Sequence, residues 1–406
     1  MSFLHPQKKQ ACLKAICGVL LSGFSVASLA AEEAVSDDII LPVFGGDLKV
    51  GGAMRANFLY GDYPETGAAS PSSSDNGTFK LDTFRVNLDY TNGNVVGKLE
   101  YRWYDGYNFL HTGWLGYNFA DESQLQVGVN RVPFGPGAYG VSQSFFFDQH
   151  YYMGLSDDMD LGVKYSRKSG ALSYDVAYYY SDEGNYNGAT KDSARYSYDV
   201  VNESGTGYEE RNQFNFRGIY SLAGDSDVTT DLGVSLQLGE LESQGAQDDG
   251  DQMAFSVHMV NKWQDFTLAS QLTYFEFDVD AGQPLGTDAL VQLGAYDFPN
   301  TAAAEGYIPA ISLSYYQEVS SVNWLDYVIP YIEYSSIIKQ ESGFNDSEMA
   351  TIGAAWGHDG WYIYTDLVYS NGNEFIGGDA PYGDRLGANQ TEEWLYRFNI
   401  NFGYYF

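Results

Sequence analysis

The last thirteen residues of the chain, Trp394 to Phe406, alternate between apolar and polar side chains. One set of alternate positions is aromatic or aliphatic throughout, and it is Trp394, Tyr396, Phe398, Ile400, Phe402, Tyr404 and Phe406. Because successive side chains of a β-strand point to opposite faces, this pattern predicts a strand with one apolar face. Aromatic residues at both ends of that face are typical of a strand that crosses a bilayer in a barrel. Taken alone, the stretch also fits a strand of a soluble β-sandwich.

Composition extends this interpretation to the whole chain. The 406 residues include 35 Tyr and 45 Gly but only 11 Pro, which favours an all-β protein. The mean hydropathy is −0.30, and past the N-terminus no segment approaches the roughly 20 apolar residues that a membrane-spanning helix needs. A transmembrane barrel meets this limit, since only every second residue of a strand faces lipid.

The one long apolar run stands at the N-terminus. Three lysines precede it, and it extends from Ala15 to Leu29 before Ala30 and Ala31. A basic segment, a short apolar segment and small residues predict a secretory signal over residues 1–31 that is removed. We expect residues 32–45 to form a short periplasmic leader and residues 46–406 to form the barrel.

Removal of the signal changes both the cysteine content and the charge. Cys12 and Cys17 lie inside it, so the mature chain would contain neither a disulfide nor a thiolate metal site. Loss of three lysines leaves 18 Lys and Arg against 54 Asp and Glu, a net charge of −36. Such a polyanion is a poor partner for nucleic acid, and we expect no nucleic-acid binding.

Alternating patterns predict sixteen strands separated by connections that are long and short in turn, with Asp105 to Phe109 as the one short connection on the long side. The strands are expected near residues 46–60, 79–90, 95–103, 110–119, 124–131, 159–168, 171–180, 211–220, 228–239, 252–262, 265–277, 307–316, 327–337, 348–357, 361–370 and 392–406. Long connections on one rim and tight turns such as Asn92-Gly93 on the other indicate an antiparallel outer-membrane barrel. Pro309 and Pro330 fall within predicted strands and weaken ladder pairing, so fourteen or eighteen strands remain alternatives.

The third long connection, from Arg131 to Asp160, is rich in glycine, proline and aromatic residues. It contains the candidate constriction residues Arg131, Pro133, Phe134, Gly135, Asp148, Asp157, Asp158 and Asp160. Two interpretations are open: an external loop packed on its own aromatic residues, or a loop that folds into the lumen and narrows it. Acidic connections such as 185–210 are expected to be solvated caps instead.

The sequence from Arg131 to Gly135, the loop that follows and the segment from Asp160 to Tyr165 together resemble the phosphate-selective porins of Gram-negative outer membranes. The resemblance extends to Phe406, which matches the final aromatic residue that the barrel-assembly machinery reads in such proteins. It implies a homotrimeric sixteen-stranded channel, surrounded by outer-membrane lipid and lipopolysaccharide, whose third loop narrows the pore. In that family phosphate selectivity rests on basic residues around the loop. Arg131 is the loop's one cation here, which argues against phosphate selectivity.

A second group of candidate residues comes from the strand pattern. Arg55, Arg85, Arg102 and Arg397 occupy polar, lumen-facing positions at similar predicted heights, and the last strand neighbours the first on closure. We expect a basic wall which, opposed to an acidic loop, would set a transverse field and favour charged or zwitterionic polar solutes. The alternative is that Asp89, Glu100 or Glu393 pairs locally with each arginine, and that the arginines only fill the lumen.

Other functions have weaker support in the sequence. Ser256 and His258 stand two apart on one strand face, as in a barrel phospholipase, but chance explains such a pair better. The acidic runs 248–251 and 156–160 lack the ligand spacing of a calcium loop. The sequence therefore predicts a passive porin for small hydrophilic solutes, with no enzymatic activity, cofactor or metal, and a barrel enzyme or an adhesive structural barrel is the alternative.

Overall fold

The computed structural model describes residues 39–61, 77–104, 106–183, 195–203, 206–223, 228–296, 298–373, 376 and 385–406. Sixteen strands form the wall of one closed antiparallel barrel. In chain order they are β1 (Gly46–Gly61), β2 (Thr78–Asn92), β3 (Val95–Tyr104), β4 (Tyr107–Asn118), β5 (Ser123–Arg131), β6 (Met159–Ser169), β7 (Leu172–Asp182), β8 (Thr206–Ala223), β9 (Val228–Ser243), β10 (Gly250–Trp263), β11 (Phe266–Asp278), β12 (Glu305–Tyr315), β13 (Tyr327–Lys339), β14 (Ser347–His358), β15 (Trp361–Asn371) and β16 (Trp394–Tyr405). The prediction of sixteen strands is confirmed.

The barrel closes through pairing of β16 with β1, in which Ile400 lies opposite Phe58. The chain's final residue completes this seam. The Gly52 N–H donates to the Phe406 carbonyl at 2.7 Å, and the Phe406 N–H donates to the Gly52 carbonyl at 3.0 Å. A Cβ at Gly52 would lie only 2.8 Å from the Phe406 ring, so glycine makes room for the terminal side chain.

The predicted alternation of β16 is confirmed. Arg397, Asn399 and Asn401 are buried toward the lumen, whereas Phe402 and Tyr404 are exposed on the outer face. Other wall strands behave alike, and their exposed outer side chains include Leu99, Val127, Leu232, Val257, Ile332 and Ile352. The soluble sandwich alternative is wrong, because the wall closes on itself and its apolar face points outward.

Both prolines lie in wall strands, at points where the backbone pairing with one of the two neighbouring strands is interrupted or ends. Pro309 pairs with Leu272 on β11, but pairing of β12 with β13 is interrupted between Tyr307 and Ala310. Pro330 pairs with Ala354 on β14 and lies just beyond the last β12–β13 pair. A closed wall accommodates a proline where its missing N–H is not needed by the neighbouring strand.

Most connections sort by rim as predicted; the exceptions are the short β3–β4 connection on the long rim and the longer connection of residues 316–326 on the other rim. One rim carries tight turns, including residues 93–94, 170–171 and 359–360, and Gly93 has the positive φ of +58° that such a turn requires. The other rim carries the long connections, among them residues 132–158. In the described part of the chain, no helix is long and apolar enough to cross a membrane.

Several short elements add to the wall. Ile39–Val43, in the predicted leader, pairs with the start of β1, and Asn202–Glu203 and Gln317–Glu318 extend wall ladders. One helical turn, α1 (Gln149–Tyr152), lies in the third long connection. The predicted signal peptide lies outside the described residues.

A second, three-stranded sheet was not predicted. It joins Arg195–Val200, from the β7–β8 connection, to Leu290–Tyr296 and Phe298–Ala303, from the β11–β12 connection. All six residues of Arg195–Val200 are buried, so this part of the 185–210 segment is not the solvated cap that its charges suggested. The sheet packs with the third long connection in the main apolar cluster, which includes Tyr151, Tyr152, Tyr198, Leu293 and Tyr296.

Candidate functional site in the lumen

The third long connection, residues 132–158, crosses the interior of the barrel and binds the far wall. The Gly135 N–H donates to Ser235 Oγ on β9 at 3.0 Å, and the Gln149 N–H donates to Ser335 Oγ on β13 at 3.1 Å. The Phe145 N–H donates to Asp366 Oδ2 on β15 at 3.2 Å. The loop therefore folds inward as predicted, and the interpretation as an external loop is wrong.

The first residues of the loop make the turn into the lumen. Val132, Pro133 and Phe134 are buried, and Gly135 has φ +66°. A Cβ at Gly135 would lie 2.9 Å from Gln271 Oε1. Both the backbone conformation and the close wall explain why glycine stands here.

Glu333 on β13 is one anchor of the loop. Its carboxylate accepts a hydrogen bond from Ser142 Oγ at 2.8 Å, and it also accepts from the Gln143 N–H. Ser312 Oγ on β12 donates to it at 3.0 Å. A buried carboxylate is thus satisfied by the loop and the wall together.

A second anchor starts at Asp148, which precedes α1. Asp148 Oδ1 accepts from the His150 N–H and lies 2.8 Å from His150 Nδ1. His150 Nε2 lies 2.8 Å from Thr273 Oγ1 on β11, and Thr273 donates to Ser256 Oγ on β10 at 3.0 Å. The order carboxylate, imidazole and hydroxyl matches a catalytic triad, but all four side chains are buried, and no more than 2% of any is exposed. A substrate has no access, so this chain of contacts fastens the loop to the wall.

The predicted pair of Ser256 and His258 is not hydrogen-bonded. Ser256 accepts from Thr273 instead, and in the described structure neither ring nitrogen of His258 has a hydrogen-bond partner. The geometry gives no activated serine at this position.

All four predicted wall arginines lie on contiguous strands, because β16 pairs with β1. Arg85 on β2 stands opposite Arg102 on β3 in the register, and both contact Glu100 Oε1, at 3.4 and 2.5 Å. Arg55 on β1 binds Asp82, with Nε and Oδ2 3.1 Å apart. Of the three acids predicted to pair with the arginines, Glu100 does so. Asp89 lies opposite Lys98 instead, and Glu393 is exposed.

Asp82 was not predicted to face the lumen, because a β-bulge turns it there against the alternation of the strand. The β1–β2 register shifts at this point, so that Asp82 and Thr83 are both buried. Beyond the shift Leu81 and Phe79 face outward, at odd positions, whereas Phe84 does so at an even one. This reversal of alternation is the sequence signal of a bulge, which re-aims a side chain.

A second bulge lies across the patch on β4. The β3–β4 register shifts beside Glu100, and His111 and Thr112 are both buried. His111 Nδ1 lies 3.5 Å from Glu100 Oε1. Two bulges thus increase the number of polar groups that converge on the arginines.

Arg397 joins the patch through the loop. In the register it lies opposite Gly61, six positions along β1 from Arg55. Its guanidinium nevertheless stands 5.0 Å from the centroid of the Phe146 ring, while that of Arg55 stands 5.6 Å from the Phe145 ring. The loop therefore presents aromatic faces to these two cations, an attractive arrangement.

The acids of the loop have other partners. Asp157 Oδ1 accepts from Arg131 at 2.8 Å and Asp157 Oδ2 accepts from Tyr196 at 2.9 Å, while Asp148 holds α1. Asp158 lies in a buried carboxylate cluster with Asp160 of β6 and with Asp199 of the second, three-stranded sheet, called the inner sheet below. Burial and neighbouring carboxylates raise the pKa of Asp158 and of Asp199 well above the usual value.

Comparison with known proteins bears on the fold. No family model and no curated protein matches the sequence. Among solved structures, the outer membrane channel DcaP of Acinetobacter baumannii is 13% identical with a TM-score of 0.59, over 89% of this chain and 98% of that one. OmpT of Vibrio cholerae is 14% identical with a TM-score of 0.57, over 90% and 100%. An anion-selective porin from Comamonas acidovorans is 12% identical with a TM-score of 0.54, over 89% and 100%.

The fold is that of the outer-membrane porins. A porin barrel carries its apolar residues outside and its polar residues inside, as the wall does here. An apolar outer surface on a closed barrel is stable in lipid, so the wall has the surface of a membrane-spanning β-barrel. At these identities the likeness extends to the porin architecture and leaves the permeant open.

Proposed function

We propose that this protein is a passive diffusion channel for small hydrophilic solutes or ions across the outer membrane. The observation that carries the proposal is the inward loop, which is fastened to β9, β11, β13 and β15 beside a patch of four arginines. A polar lumen narrowed at one level is what a selective diffusion pore requires. The printed names of the structural neighbours, a channel and a porin, agree with it.

The charge of the patch sets the expected preference. Among the described contacts of the patch, Asp82 and Glu100 stand against Arg55, Arg85 and Arg102, so cations outnumber anions there. We propose that the patch attracts anionic groups of permeating solutes, since guanidinium stays charged and binds carboxylate or phosphate through two hydrogen bonds. We do not assign phosphate selectivity, because the loop's cation Arg131 is engaged by Asp157.

Further parts of the proposal concern assembly and chemistry. One neighbour, OmpT of Vibrio cholerae, has been solved in a trimer form, which supports a homotrimer here. Phe406 at the closing seam suits recognition by the barrel-assembly machinery. We propose no enzymatic role, since the Asp148, His150 and Thr273 contacts are buried and serve as a tether.

The test is deletion of Ser142 to Tyr151 followed by single-channel recording in planar bilayers. Removal of this segment takes away the Glu333 and Thr273 anchors together with Phe145 and Phe146. We expect conductance to rise severalfold with the barrel still assembled.

A control deletion removes Glu341 to Gly343, three exposed residues on the same rim. It should leave conductance unchanged. If the larger deletion assembles and conducts like the intact protein, the loop does not limit permeation and the proposed mechanism is wrong.

A further inference from the structure

Three buried carboxylates meet where the inward loop ends. Asp158 is the last residue of the loop, Asp160 is the second residue of β6, and Asp199 lies on the inner sheet. One carboxylate oxygen of each lies within 4.8 Å of the other two. No more than 4% of any of the three is exposed. Charged carboxylates at such proximity repel one another and lose hydration, so the cluster needs compensation.

The surrounding groups supply little positive charge to compensate these carboxylates. Arg195 binds Asp182 at 2.8 Å and Asp199 at 3.0 Å, so one guanidinium is shared by two acids. Glu183 and Glu210 lie nearby, and they accept neutral donors: Glu183 accepts the backbone N–H groups of Tyr196 and Ser197, and Glu210 accepts that of Val200. Among the described residues, six carboxylates therefore face one guanidinium.

Two oxygens of the cluster lack any donor. Asp158 Oδ1 and Asp160 Oδ1 are buried and accept no hydrogen bond in the described structure. The other Asp160 oxygen is oriented by an amide chain, because Gln213 donates to it at 2.9 Å and Gln252 donates to Gln213 at 3.0 Å. A carboxylate with one oxygen held by a hydrogen bond and the other oxygen without a donor is oriented as a metal ligand would be.

We propose that Asp158, Asp160 and Asp199 bind one calcium ion. Hard carboxylate oxygens suit this cation, and oxygens bound to one Ca²⁺ at about 2.4 Å lie at most about 4.8 Å apart. Mg²⁺ demands a stricter octahedron and keeps more water, so three converging protein carboxylates favour calcium. The ion would join the end of the inward loop, the barrel wall and the inner sheet at one point.

The experiment measures calcium binding to the refolded, chelator-treated full barrel by isothermal titration, together with its Tm in CaCl₂, MgCl₂ or EDTA. We expect one Ca²⁺ per chain, a higher Tm in CaCl₂ than in EDTA, and a smaller effect of MgCl₂. The double variant Asp158→Asn/Asp199→Asn should lose both responses. In EDTA its Tm should equal or exceed that of the wild type, because repulsion has been removed.

The matched control is Asp248→Asn/Asp249→Asn, which removes the same charge from two exposed residues and should leave calcium binding intact. Two results would overturn the proposal. One is a wild-type protein with neither calcium heat nor a Tm difference between CaCl₂ and EDTA, in which case protons compensate the cluster. The other is unchanged stoichiometry in the Asp158→Asn/Asp199→Asn variant. Because wild-type binding is measured directly, a variant that fails to fold does not prevent the test.

Discussion

Arg85 and Arg102 lie directly opposite each other on β2 and β3, and the carboxylate of Glu100 contacts both. Paired positions on adjacent strands are close, so two guanidinium groups there repel. The His111 ring also approaches Glu100. One carboxylate therefore holds the centre of the basic patch together.

Replacement of Glu100 by Gln should destabilise the barrel and increase anion preference. It leaves the buried guanidinium of Arg102 and the half-buried one of Arg85 without their counter-charge, a loss of about 3–5 kcal/mol in the free energy of unfolding. Urea unfolding in detergent micelles and reversal potentials in a salt gradient measure the two effects. Glu393→Gln, at an exposed site, should change stability by no more than about 0.5 kcal/mol. Equal effects of the two substitutions would show that Glu100 does not organise the patch.

Replacement of Arg55 and Arg85 together by Gln should shift the reversal potential toward cations and lower the flux of anionic solutes. The shift should shrink with salt, because the Debye length falls from about 10 Å at 0.1 M to about 3 Å at 1 M. The control Arg167→Gln/Lys168→Gln removes the same charge near the tight-turn rim. If ion preference at low salt is that of the wild type, the arginines only fill the lumen.

An arginine at Ile400 should destabilise the barrel by about 2–4 kcal/mol, since the residue faces outward in the middle of β16. Tyr404 also faces outward, but it pairs with Trp361 beside a tight turn. The same substitution at Tyr404 should cost only about 0–1 kcal/mol. Unfolding in lipid vesicles compares the two variants, and a smaller cost at Ile400 would contradict the assigned register.

Replacement of Thr273 by Val should loosen the loop. The change removes the wall partner of His150 and leaves a buried ring nitrogen unsatisfied, at a cost of about 1–3 kcal/mol. We expect noisier open-channel current and a lower unfolding midpoint. Thr267→Val, six residues away on the same face of β11, supplies the control. Current noise equal to that of this control would mean that the tether does not steady the loop.

Periodicity was enough to predict the wall. Each of the sixteen strands repeats a period-two pattern in its own residues, and the sorting of connections by length gave the two rims. The same reasoning could not find Asp82, because a bulge reverses the phase within β2 and the pattern was extrapolated across it. Phe79 and Leu81, which face outward at odd positions, are the sequence signal of this reversal.

The inner sheet was missed for a different reason. The charges of Arg195 and Asp199 predict a solvated segment. In the structure Arg195 forms ion pairs with Asp199 and with Asp182 at the end of β7. Nothing local in that segment indicates that Tyr296, 101 residues later, lies opposite Arg195. Pairing between distant connections is a tertiary property that a single strand's periodicity does not contain.

The inner sheet also limits how this rim can evolve. Connections on a barrel rim ordinarily vary independently of one another. Here Arg195–Val200 of the β7–β8 connection pairs with Leu290–Tyr296 of the β11–β12 connection. The Ala303 N–H, also of the β11–β12 connection, donates to the Leu386 carbonyl of the β15–β16 connection. Sequence drift in any of the three must be matched in the others, so natural variants should differ there in concert. A foreign epitope should be displayed without harm at exposed Gly245 and Ala246 instead.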